Sequence, residues 1–145
     1  MKILEKRSEC PISLSLDLFG DKWSLLIIRD LVFKGYHFYN EFLDSGEGIA
    51  TNVLSDRLKK LEHHGFITSE KYHLQKTKKL YQLTEKGIEL IPIIVEMMAW
   101  GFKNDDTIFI PEESTAIVDR IRNDKESFIN EVTTSVRNFD SKNFC

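Results

Sequence analysis

The chain is poor in the residues that staple a fold, punctuate it or hold metals. Of its 145 residues, 2 are Cys, 3 are Pro and 7 are Gly. Cys10 and Cys145 stand at opposite ends, which excludes the disulfide framework of a small secreted domain and any Cys-x-x-Cys metal pair. So little Pro and Gly, beside 41% hydrophobic and 11% aromatic residues, excludes a disordered chain and supplies the core of one ordinary domain. Long hydrophobic runs are also missing. The longest, Ile88 to Phe102, has 15 residues and contains Glu89, Pro92, Glu96 and Gly101, too short and too polar to cross a bilayer. The first residues, Met-Lys-Ile-Leu-Glu-Lys-Arg, lack an apolar secretory core, so a cytoplasmic protein is expected. No glycine-rich phosphate loop, nucleophile elbow or His-Glu-x-x-His pattern occurs, and His63 and His64 point to different helix faces. Neither enzyme activity nor a metal or cofactor is expected.

What is present is charge sorted along the chain. The net charge is −3, yet residues 50–82 hold seven Lys/Arg against three acids, while residues 104–145 hold five against nine. An anionic average therefore hides a cationic stretch, and sorted charge is a statement about partners.

Apolar spacing and punctuation predict the elements. Pro11 opens a helix that Gly20 ends, and Asp21 caps a second, Lys22 to Phe33, apolar on most sides and so expected in the interior. A short segment, Phe38 to Leu43, and a Ser45-Gly46-Glu47-Gly48 loop precede the clearest helix, Ala50 to His64, with Leu54, Leu58 and Leu61 on one stripe. Phe66 to Tyr72 and Lys78 to Leu83 read as a hairpin around a polar loop, His73 to Thr77. A long helix from Glu85 to about Lys103 follows, then an amphipathic helix from Ser114 to Phe139. This order predicts a mainly α fold with a small β-hairpin, a winged helix-turn-helix over residues 10–103, and an acidic helical extension over 104–145.

Opposite the leucine stripe of Ala50 to His64 lie Asn52, Ser55, Asp56, Lys59 and His63. In a DNA major groove, Asn bonds an adenine edge, Ser donates or accepts, and Lys reaches a guanine or a phosphate; the same face also suits a solvated surface helix. The hairpin gathers Gln75, Lys76, Lys78 and Lys79 at or beside its tip, as a wing along the phosphates requires. Arg57 flanks the stripe, either snorkelling to a phosphate or pairing with an acid of the domain. Thr51, Asn52, Ser55, Arg57 and Lys59 are the candidate recognition-helix contacts, with Gln75, Lys76 and Lys78 on the wing. A winged helix used only for protein contact is the competing reading.

Residues 10–101 resemble the HxlR-type winged helix-turn-helix regulators, a MarR-like group. The matching segments include Cys10-Pro11, Gly20-Asp21-Lys22-Trp23, Gly48-Ile49, Val53 to Glu62, Gly65-Phe66-Ile67, Tyr81 to Gly87 and Trp100-Gly101. The resemblance implies a cytoplasmic homodimer on double-stranded DNA at a pseudo-palindromic operator, with no membrane partner. Three departures stand out. Tyr36-His37 occupies the place of a basic pair, which puts one backbone contact in question. Ala50 replaces a common Ser, a hydroxyl that Thr51 is positioned to supply instead, and the wing lacks prolines.

Cys10 precedes a helix start, where amide N–H groups and the helix dipole favour a thiolate, and Lys6 and Arg7 add positive charge partly offset by Glu9. The resemblance implies a redox or electrophile sensor at this place, as in some members of the family; Cys145, at a chain end, is a weaker candidate for a resolving partner, and an unreactive terminal cysteine is the bland reading. For the dimer, the helix Glu85 to Lys103 is more apolar than one small core requires, and Met97 and Met98 are expected to pack.

Overall fold

The computed structural model describes residues 6–143. Four helices, a hairpin and four further helices follow in order. Helix α1 (Pro11–Phe19) starts with Pro11, whose missing N–H costs nothing in a first turn. In α2 (Lys22–Arg29) the Asp21 carboxylate caps the first turn by accepting from Ser24 N. A π-helical turn, Asp30–Lys34, carries α2 onward to Gly35. Of the residues expected in the interior, Ile27, Ile28 and Leu31 are buried, while Trp23, Leu25 and Leu26 are only half-buried.

Helices α3 (Tyr39–Leu43) and α4 (Thr51–His63) are joined by a turn in which Gly46 and Gly48 take φ of 93° and 75°, a backbone that side-chain-bearing residues rarely adopt. Leu54, Leu58 and Leu61 of α4 are buried in the main core, together with Ile28, Phe42 and Phe66. The leucine stripe faces inward as its spacing demands.

Strands β1 (Ile67–Tyr72) and β2 (Gln75–Leu83) pair antiparallel, from Ile67 opposite Leu83 to Tyr72 opposite Gln75. The expected loop, His73 to Thr77, is instead a two-residue turn, His73-Leu74, and Gln75 and Lys76 belong to β2. Pairing jumps from Lys71–Lys79 to Tyr72–Gln75, so Lys76, Thr77 and Lys78 bulge out of register. Polar composition marked a loop here, but cross-strand hydrogen bonds decide where a strand begins.

The helix expected from Glu85 to Lys103 is two helices, α5 (Glu85–Ile88) and α6 (Ile91–Asn104). Pro92 has no N–H to give the Ile88 carbonyl and its ring crowds that group, so the helix restarts. The helix expected from Ser114 to Phe139 is likewise divided, into a 3₁₀ turn (Glu112–Ser114), α7 (Thr115–Asn123) and α8 (Lys125–Arg137). Asp124, at φ −147° and ψ 42°, bends the chain so that both Ile121 and Phe128 are buried. They form a second cluster with Ile88, Ile91 and Val95. Residues beyond 104 thus share a core with α5 and α6. No helix among the described residues is long and apolar enough to cross a membrane.

Candidate nucleic-acid interface

On α4, Thr51, Asn52, Asp56, Lys59 and His63 are exposed and Ser55 is half-buried. The side chains of Asn52 and Lys59 have no hydrogen-bond or ion-pair partner among the described residues. Ser55 Oγ lies 3.4 Å from Tyr39 Oη, which in turn donates to the Thr51 carbonyl at 3.1 Å. Tyr39 therefore ties the first helix of the pair to the start of the second. Ala50, the N-cap of α4, supplies no side-chain cap, and Thr51 does not replace it. The first-turn amides of α4 are open to an external acceptor.

Arg57 takes the intradomain option. Its Nε donates to Asp21 Oδ2 at 2.8 Å and its Nη1 to Asp56 Oδ2 at 2.5 Å, so it fastens α4 to the cap of α2. Burial pushes the Asp21 carboxyl up, but bonds from Ser24 and Arg57 outweigh it and hold the group below its usual range. Lys60 and Arg57 together hold the Asp56 carboxyl low. The negative charge on the outward face of α4 is thus already paired.

The turn between the two helices is braced from beneath. Arg29 donates to the buried Asp30 Oδ1 at 2.9 and 2.8 Å and to Glu47 Oε1 at 2.7 Å, and Lys34 Nζ donates to the Ser45 carbonyl at 3.0 Å. Burial raises the Asp30 carboxyl even though Arg29 and Lys34 oppose it. Glu41 Oε1 accepts from the amides of His37 and Phe38 at 2.9 and 3.0 Å, which fixes the start of α3.

On the wing, Gln75, Lys76 and Lys79 are exposed. Lys78 is half-buried, with its ammonium 4.7 Å from the centroid of Phe38, a cation–π contact. A groove of about 330 Å³ runs between α3 and β2, lined by Phe38, Tyr39, Asn40, Thr77 and Lys79 among others. Asn40 and Tyr39 escaped the sequence reading. Their only signal was position, at the first turn of a helix too short to show periodicity.

His37, at the place where the resemblance put a basic pair, is 7% exposed. Tyr81 N donates to the His37 carbonyl at 2.8 Å, and His37 Nδ1 lies 2.8 Å from the Tyr81 carbonyl. The residue pins the segment before α3 against β2 and is buried away from the outward face of α4. Cys10 is exposed at the N-cap of α1, and its backbone N–H donates to Ser8 Oγ. The two cations invoked beside it are engaged elsewhere, Lys6 with Glu9 at 3.3 Å and Arg7 with Asp17 at 3.2 Å. Cys145 lies outside the described residues. The rings of His63 and His64 are 5.3 Å apart, and no group of three metal-type ligands occurs among the described residues.

A helix pair joined by a braced turn, with an outward polar face and a lysine-bearing hairpin beside it, defines a winged helix-turn-helix protein. The HxlR-like helix-turn-helix family model matches residues 18–108, and the chain belongs to that family. It is 38% identical over 92 residues to sll1512 of Synechocystis sp., described as an HTH-type transcriptional regulator, covering 63% of this chain and 67% of that one. It is 33% identical over 106 residues to YybR of Bacillus subtilis, described in the same terms, covering 73% and 84%. Among solved structures, the redox regulator HypR in its oxidized form superposes with a TM-score of 0.60 at 35% identity, over 68% of this chain and all of that one. The protein is a transcriptional regulator with a helix-turn-helix domain.

Proposed function

We propose that the chain binds a pseudo-palindromic operator sequence-specifically as a homodimer in the cytoplasm, has no catalytic activity, and responds to oxidants or electrophiles through Cys10. The observation that carries the DNA reading is the division of labour on α4. Arg57 is spent on Asp21 and Asp56, and Asp56 on Arg57 and Lys60, whereas Asn52 and Lys59 project without partners among the described residues from a helix locked down by three buried leucines. Asn52 and Ser55 would read base edges, with Thr51 and Lys59 on bases or phosphates. Gln75, Lys76 and Lys78 would follow the backbone. The dimer is supported by apolar side chains at helical spacing that nothing among the described residues covers: Ile12 and Leu16 of α1, 71% and 60% exposed, and Ile93, Met97 and Trp100 of α6. Two half-sites one DNA turn apart require such a pairing. The redox reading is supported by the exposure of Cys10 and by the likeness to a protein named a redox regulator.

Selection of bound duplexes from a randomised library, followed by anisotropy titrations against salt, tests the proposal. Six to ten phosphate contacts imply a loss of about 10³–10⁵ in affinity between about 50 and 200 mM salt. No enriched sequence and no retention at low salt would refute DNA binding and favour a protein-contact module. The sensor is tested separately. Diamide and quinone should shift operator affinity in the wild type and leave Cys10→Ser unmoved; an unchanged response in the variant removes Cys10 from the account.

A further inference from the structure

Residues beyond 108 lie outside the family-matched region, and the stretch that follows α8 tracks the hairpin from its foot to its turn. Arg137 donates Nε and Nη2 to the two carboxylate oxygens of Glu85, just past the end of β2, at 2.8 and 3.0 Å. Two residues on, Phe139 stacks on His37 with ring centroids 4.0 Å apart and planes 12° from parallel. Ser141 and Lys142 then line a groove with Tyr72, His73 and Leu80 in the outer half of the hairpin.

We propose that residues 137–142 are a strap that fixes the wing against the helix pair, with Phe139 as the positioning residue acting through His37, and that the strap sets the wing's grip on DNA phosphates. A two-stranded hairpin is marginal in water by itself. Here Ile67 and Tyr81, toward the foot, belong to the main core, whereas Tyr72 and Leu80, farther out, are buried outside both core clusters. The wing is joined to the helix pair through residues 37 and 38. Tyr81 N donates to the His37 carbonyl at 2.8 Å, and the Tyr81 carbonyl, which can only accept, takes the proton of His37 Nδ1 at 2.8 Å. Phe38 meets Tyr72 of β1 edge-on at 4.9 Å and has the Lys78 ammonium of β2 over its ring at 4.7 Å. The amides of both residues donate to Glu41 of α3.

Phe139 covers one ring of this joint. With it in place His37 is 7% exposed; without it water reaches the imidazole and competes for the Tyr81 carbonyl. The rest of the tail cannot make up the loss. The Arg137–Glu85 pair is exposed, and such pairs contribute little. Above it a cavity of about 280 Å³ separates Val136 from Leu31 and Leu83, so discrete contacts rather than continuous packing hold the tail down. The effect on DNA rests on the regulator reading above; the strap itself does not.

The test compares the full chain with Phe139→Ala and Phe139→Tyr. Backbone amide relaxation by NMR, without DNA, should show residues 75–79 gaining motion in Phe139→Ala and α4 unchanged, with Phe139→Tyr like the wild type. An unchanged wing, or motion spread evenly over the fold, would overturn the strap. On the selected operator each phosphate contact contributes about 0.9 to the salt slope, so freeing Lys76 and Lys78 in Phe139→Ala should reduce the slope by about 1–2 and the affinity by about fivefold or more. The sequence selected from the library should stay the same. A mobile wing with wild-type affinity and slope would refute the consequence for DNA. In a Lys76→Ala/Lys78→Ala background, Phe139→Ala should add less than about twofold; full additivity would mean that the tail acts through general stability and would overturn the positioning role. Failure of the wild type to bind any DNA would refute the regulator reading and the role in DNA binding with it, while the relaxation result still decides the strap.

Discussion

Removing Arg29 should expose how strongly the turn before α4 depends on one guanidinium. The Asp30 side chain is 3% exposed and Arg29 covers it with two hydrogen bonds to one oxygen, while Lys34 stands back at 3.9 Å. In Arg29→Met, the carboxylate stays buried with only that distant ammonium for company. Breaking a fully buried pair costs about 3–5 kcal/mol. Arg29 is itself 23% exposed, so partial access of water reduces the expected loss to about 2–3 kcal/mol. The same substitution frees Glu47 and loosens the turn, so operator affinity should fall as well. The pH signature is specific. A native carboxyl that protonates more readily than in the unfolded chain loses stability as pH rises. The deficit of the variant, measured by urea unfolding, should therefore be larger at pH 7 than at pH 5. Asn at position 30 in the same background should recover most of it. A loss below about 1 kcal/mol, a deficit independent of pH, or no recovery in Arg29→Met/Asp30→Asn would refute the buried-charge account.

Asn52→Ala should cost about 1–3 kcal/mol on the selected operator and relax one base position, whereas Lys76→Ala should weaken selected and random duplexes alike; equal losses in both assays from both variants would remove Asn52 from base reading. Gly87→Ala should lower the melting temperature sharply, since a Cβ there would stand 2.2 Å from the Phe66 carbonyl oxygen and overpacking costs about 1–3 kcal/mol; an unchanged melting curve would show that the contact relaxes freely. Because burial lowers the His37 pKa from its ordinary value of 6.5, stability should be complete above that pH and decline as pH falls below it. Glu41 faces the ring from α3, and Arg137 and Glu85 line the adjoining cavity. His64 is also lowered, by burial and by His63, Lys86 and Lys60, so unfolding is measured in a His64→Gln background, where a flat profile between pH 7.5 and 5.5 would exclude His37.

Much of the architecture could be read from residue spacing because a helix repeats every 3.6 residues and must bury one stripe. Leu54, Leu58 and Leu61 announced α4 and its inward face, and Pro11, Asp21 and the glycines of residues 46 and 48 marked where the chain starts and turns. The misreadings have local causes. Pro92 breaks a helix whose apolar pattern continues unbroken through it, and Asp124 bends another whose amphipathic spacing gives no sign of a bend. The hairpin turn shrank from five residues to two because strand ends depend on what lies opposite, which a lysine-rich run does not specify.

The linear pattern alone determined the order of the elements, the family, and which face of α4 looks out, since all three follow from spacing within short windows. Only the folded chain decided what each polar side chain is for. Arg57 met Asp21 across 36 residues, His37 met Tyr81 across 44 and Arg137 met Glu85 across 52. Ion pairs and buried hydrogen bonds form wherever packing brings opposite partners within about 3 Å, and no local rule of sequence carries that distance.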